Sequence, residues 1–101
     1  MAKIYIAGPM SGLPNFNRDA FNQQAQRLHS LGHVPLNPAI FPDGLEQHEY
    51  MALCIEMIKI ADQMILLPDW ERSAGATAEH ALAIKLSLPV IMTSIRHEEA
   101  A

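Results

Sequence analysis

The chain carries one cysteine, Cys54, so it forms no internal disulfide; that absence points to a reducing compartment, the cytoplasm. Basic residues are few and dispersed (Lys3, Arg18, Arg27, Lys59, Arg72, Lys85, Arg96), and the net charge is −4. A nucleic-acid polymer needs clustered Lys and Arg, so it is not the expected partner. A small phosphorylated ligand stays open, because one Arg and a few backbone N–H groups can hold it. No apolar run approaches the roughly 20 residues of a membrane span, and the run in MAKIYIAGPMSG is too short for a signal peptide. No membrane partner is expected. No His, Cys and Asp set has zinc spacing, and Gly32 interrupts any helical pairing of His29 with His33. No metal site is expected.

Half of the residues are apolar and 18% are charged, a balance that folds rather than staying disordered. At 101 residues there is room for one core. The reading is a single domain over 1–95 and a frayed, solvated tail over 96–101 (RHEEAA).

The hydropathy pattern alternates strand and helix. KIYIA at 3–7 is a buried strand stopped by Gly8. Residues 15–31 carry apolar positions at helical spacing, with Asn15 or Asn17 as cap and Gly32 as stop. A short strand covers 33–36, a loop 39–45 and a second helix 46–61, whose apolar face is wider than one sheet contact requires. That face fits either a deeply packed core helix or one that meets a second subunit. QMILL at 63–67 is the third strand, 75–87 the last helix and 89–93 the fourth strand. This β-α-β-α-β-α-β order predicts an α/β fold: a small doubly wound parallel sheet, flavodoxin-like or Rossmann-like. Its expected strand order is 2-1-3-4, with helices on both faces. The ligand site of such a sheet lies at the carboxyl ends of the strands, where the order reverses.

Two loops fall there. Gly8, Pro9, Met10, Ser11 and Gly12 form a turn whose N–H groups can cradle an oxyanion, although it matches neither a Walker loop nor GxGxxG. The second, PDWERSAGATAE, places Ser73 and Gly75 at a helix start that favours negative charge. Glu79 follows about one turn later, among residues kept small. A carboxylate there can attack a carbon bearing a good leaving group and form an ester, as in retaining glycoside hydrolysis.

YIAGPMSG, IADQMILLPDWERSAGATAEHALA and the closing LPVI strand resemble the nucleoside 2-deoxyribosyltransferase-like superfamily. The resemblance runs from Lys3 to about Ser94 and is strongest to a short, often phage-encoded branch with an LLPGWexSxGAxxE pattern. It implies cleavage of an N-glycosidic bond in a nucleoside or nucleoside 5′-monophosphate, by hydrolysis or by transfer to another base. Glu79 falls on the nucleophile that attacks C1′, and Tyr5 on an active-site aromatic. Gly8 to Gly12 match the loop near the sugar and phosphate, and Ser73, Gly75 and Ala76 lie in the second binding loop. Trp70 is a candidate stacking wall or a ring packed over the sheet edge, and Arg72 a candidate phosphate partner or a solvated side chain. The enzyme ester needs no organic cofactor. Family members commonly form dimers or larger homo-oligomers, which the wide face of the second helix suits.

One position departs from the pattern. Eight residues before Asp62 the family usually has an Asp that handles the base or its proton; here the residue is Cys54. A thiol is a weak donor and largely neutral near pH 7. Asp69, His48 or His80 are the candidates to compensate. Three functions therefore stand: an N-glycoside hydrolase or transferase, a nucleotide-binding protein without turnover, and an interaction module without a ligand.

Overall fold

The computed structural model describes residues 1–93; the expected tail over 96–101 and the end of the domain at 95 lie outside them. Four strands, β1 (Lys3–Ala7), β2 (Val34–Leu36), β3 (Gln63–Leu66) and β4 (Val90–Met92), form one parallel sheet in the order β2-β1-β3-β4. Three α-helices connect them: α1 (Arg18–Ser30), α2 (Gln47–Ile60) and α3 (Ala74–Lys85). The expected fold class and strand order are those that form.

Strand alternation splits the core in two. Ile4, Ile6, Ile65 and Leu67 face α1 through Phe21 and Leu28. Tyr5, Ala7, Met64 and Leu66 face the opposite layer, where Cys54 and Ile58 of α2 and Ala83 of α3 meet them. At the amino end, the Asp62 carboxylate accepts the Lys3 N–H at 2.9 Å and pairs with Lys3 Nζ at 3.5 Å, fixing the start of β1 beside β3.

The first helix starts later than its apolar spacing predicts. Asn15, Phe16 and Asn17 have φ of 50°, 52° and 60°, a left-handed turn that a right-handed helix cannot include. Asn17 does not cap with its side chain; its Nδ2 donates to the Pro9 carbonyl at 2.9 Å and ties this turn to the loop after β1. Helix α3 ends at Lys85 rather than 87, because Ser87 adopts φ 59°. Residues 38–40 of the expected loop form a 3-10 turn, with Asn37 Oδ1 accepting the Ala39 N–H at 3.0 Å.

Helix α2 is not the deeply packed helix that was one of two expectations. Only Cys54 and Ile58 are buried, whereas Leu53 and Ile60 are 40% and 56% exposed. Its apolar surface exceeds what one sheet face and α3 can cover. Among the described residues, no helix is long and apolar enough to cross a membrane.

Candidate functional site

Strands β1 and β3 are neighbours, so the loops that follow them open side by side at the carboxyl edge. The β1 loop comes close because Gly8 has no side chain: a Cβ there would lie 2.8 Å from Leu67 Cβ. This glycine is required by packing against β3. Gly12 differs, with φ 81° and open space around it, and serves the turn itself.

Helix α3 is launched by Ser73, whose Oγ accepts the Ala76 N–H at 3.1 Å. Ala76 and Ala83 are buried against the sheet, so part of the small-residue pattern lets α3 approach β1 closely. The same approach carries Glu79 inward until it is 9% exposed, a nearly buried carboxyl on the cavity side of the helix.

Glu79 opens into a cavity of about 350 Å³, within the roughly 300–1,000 Å³ of small-molecule sites. Burial raises its pKa from 4.5 to about 7, opposed by hydrogen bonding from Tyr5 and then Cys54. Burial also raises Tyr5 well above its ordinary value, and the Glu79 charge adds to this. Cys54 is pushed up to about 12, by burial first and then by Glu79. The three groups are thus mutual neighbours in one buried corner. The Tyr5 hydroxyl is fully buried, and among the described residues it makes no hydrogen bond of good geometry.

Of the residues singled out from sequence, Tyr5, Gly8, Met10, Ser11, Ser73, Gly75, Ala76 and Glu79 line this cavity. Cys54 lines it as well, next to Glu79, where the resemblance placed a carboxylate. Pro9, Asp69 and Arg72 line an adjoining cavity of about 880 Å³, which shares Ser11, Gln47, Ser73 and Gly75 with the first. Trp70 and Gly12 line neither cavity. The Trp70 ring instead packs edge-on against His80 at 4.6 Å and against the core cluster that holds Tyr5 and Cys54. His48 is exposed on the outer side of α2 and also lies outside both linings.

Part of the wall was not identified from sequence. Phe16, on the left-handed segment and 46% exposed, lines the cavity together with Phe41 and Tyr50. Arg18 lies 5.1 Å from the Phe16 ring centre and forms an ion pair with Asp43, closing α1 against the loop before α2. The Tyr50 hydroxyl donates to the Pro42 carbonyl at 2.6 Å and holds that loop down. The Pro42 and Asp43-Gly44 turn chemistry marked the loop, but nothing local showed where it would fold. Among the described residues, no group of three His, Cys, Asp or Glu side chains is placed to hold a metal ion.

The same architecture occurs in solved enzymes. A 2-desoxiribosyltransferase from Leishmania mexicana aligns with a TM-score of 0.72 and 24% identity, over 91% of this chain and 63% of that one. This chain therefore spans less than two thirds of that protein's length. A 2-deoxyribosyltransferase from the psychrotolerant bacterium Bacillus psychrosaccharolyticus aligns with a TM-score of 0.70 and 22% identity, over 97% of this chain and 80% of that one. The shared property is the 2-deoxyribosyltransferase fold. No curated protein matches in sequence. Residues 2–92 match the model of the family described as a domain of unknown function, DUF4406, and the chain belongs to that family.

Proposed function

We propose that the protein cleaves or transfers the N-glycosidic bond of a nucleoside or nucleoside 5′-monophosphate, with Glu79 as nucleophile. The observation that carries this reading is a nearly buried carboxyl at the mouth of the sheet, on a helix whose start borders the same cavity. The fold it shares with two 2-deoxyribosyltransferases supports the same reading. A Glu79 oxygen attacks C1′ as the C1′–N bond breaks, and the sugar becomes an ester of the enzyme. Water then releases the sugar, or a second base takes it. Tyr5 holds the carboxylate in its reactive form, and Ser11, Ser73 and Gly75 border the space for the sugar. Arg72, which lines the adjoining cavity, is the proposed partner of a 5′-phosphate. No organic cofactor takes part.

Two copies of the chain are proposed to associate through the uncovered apolar residues of α2, Leu53 and Ile60. A purely monomeric species in sedimentation at micromolar concentration would remove that part of the reading.

The test is base release, read by chromatography, from ribo- and deoxyribonucleosides and their 5′-monophosphates, with and without an acceptor base. Release that vanishes in Glu79→Gln supports the reading, and acceptor dependence separates transferase from hydrolase. Cys54 favours a second reading, a nucleotide-binding protein without turnover. In that case ligand raises the melting temperature while no base is released.

A further inference from the structure

The groups that could hand a proton to a departing base are few in the Glu79 cavity. A neutral base leaves as an anion unless an acid protonates it, and general acid catalysis contributes about 10²–10⁴ in rate. Tyr50 already donates its hydroxyl proton to Pro42, and Asp43 is an acceptor in its ion pair with Arg18. Ser11 and Ser73 are alcohols, far too weak as acids. The Cys54 thiol, at about 12, holds its proton firmly, and buried Tyr5 more firmly than a free phenol. Glu79 is committed as nucleophile. Asp69, His48 and His80 do not line this cavity. Among the described residues, the wall therefore offers no proton donor suited to neutral pH.

The wall is, however, suited to a cation. Phe16, Phe41 and Tyr50 supply aromatic lining and Met10 and Met51 polarizable sulfur, while the Arg18 guanidinium of the same wall, 5.1 Å from the Phe16 ring centre, has its charge offset by Asp43.

We propose that this site selects N-glycosides whose leaving base is already positively charged, such as N-ribosylated pyridiniums and 7-alkylated purines. The inference rests on the glycoside-cleavage reading above. The Glu79 oxygen forms its bond to C1′, the C1′–N bond breaks, and its electron pair neutralises the ring. The base departs as a neutral molecule, and no proton is transferred. In hydrolysis, water oxygen then bonds to C1′, the ester electron pair returns to Glu79, and the proton enters solvent. A cationic ring also favours the ionised Glu79, offsetting the burial that holds the empty site near neutrality.

The experiment compares guanosine with 7-methylguanosine, which differ by one methyl group and one charge, each also as 2′-deoxy and 5′-monophosphate forms. Nicotinamide riboside and uridine extend the comparison, and release by Glu79→Gln is subtracted as the uncatalysed background. The expected result is a kcat/KM at least a hundredfold higher for the charged member, in line with the missing general acid. A ratio below a hundredfold overturns this inference and leaves glycoside cleavage standing. Release from no compound overturns both.

Discussion

The Tyr5 hydroxyl and the Glu79 carboxyl, one on β1 and one on α3, meet in a buried corner of the cavity, and each shifts the other's proton affinity. Tyr5 favours the ionised carboxylate, whereas Glu79 keeps the phenol protonated. Wild-type turnover should therefore rise with pH through about 7, as Glu79 loses its proton. In Tyr5→Phe this acidic limb should move to higher pH, with little change in melting temperature, because among the described residues the buried hydroxyl makes no hydrogen bond of good geometry. A pH–rate profile of both proteins decides; an unmoved limb would separate Tyr5 from Glu79.

Glu79 should lower the stability of the fold at alkaline pH. Its folded pKa, about 7, lies above the ordinary 4.5, so the folded state binds the proton more tightly than the unfolded chain. Below 4.5 the carboxyl is protonated in both states and there is no penalty. Stability falls as pH rises towards 7 and levels off above it, a loss of about 3 kcal/mol. Glu79→Gln should melt higher than wild type at pH 8 and differ little at pH 5. An equal difference at both values contradicts the assignment.

The two glycines flanking the cavity should respond oppositely to a methyl group. Gly8→Ala places Cβ 2.8 Å from Leu67 Cβ and should cost about 1–3 kcal/mol in chemical denaturation. Gly75→Ala meets only Ser73 Oγ, at 3.8 Å, on a helix that gains from alanine. It should keep or raise stability and weaken ligand binding from the cavity wall.

Cys54→Asp puts a second carboxyl beside Glu79. Like charges in one buried corner hold one proton between them, which gives the site an acid. Release from guanosine should rise, narrowing its ratio to 7-methylguanosine by tenfold or more. Stability at pH 8 should fall. An unchanged ratio with folded protein argues that Cys54 does not face the leaving base.

The layered fold was legible because its signals are local. KIYIA and QMILL are apolar enough to be buried on both faces, and only a parallel sheet covered on both sides accommodates such strands. The loops after β1 and β3 follow from that order, which by itself brings Glu79, Ser73 and Gly75 to one edge of the sheet. What the local signals misjudged had a competing tertiary cause. The spacing at 15–17 reads as helix, yet Asn17 donates to Pro9 and a left-handed turn takes its place. Trp70 is open from sequence to two roles, a stacking wall or a ring packed over the sheet edge, and only the fold sets it against His80.

The sequence by itself determined the element order, the parallel sheet and the pair of loops at its reversal, because periodicity and turn residues act within a few positions. Tertiary structure alone decided which groups stand together. Tyr5, Cys54 and Glu79 come from three elements and share a buried corner only when α2 and α3 pack on one face of the sheet. The raised proton affinity of Glu79 belongs to that corner, since desolvation arises from surrounding atoms and is not encoded at any one residue. The aromatic rim of Phe16, Phe41 and Tyr50 likewise exists only where a strained turn and a distant loop meet.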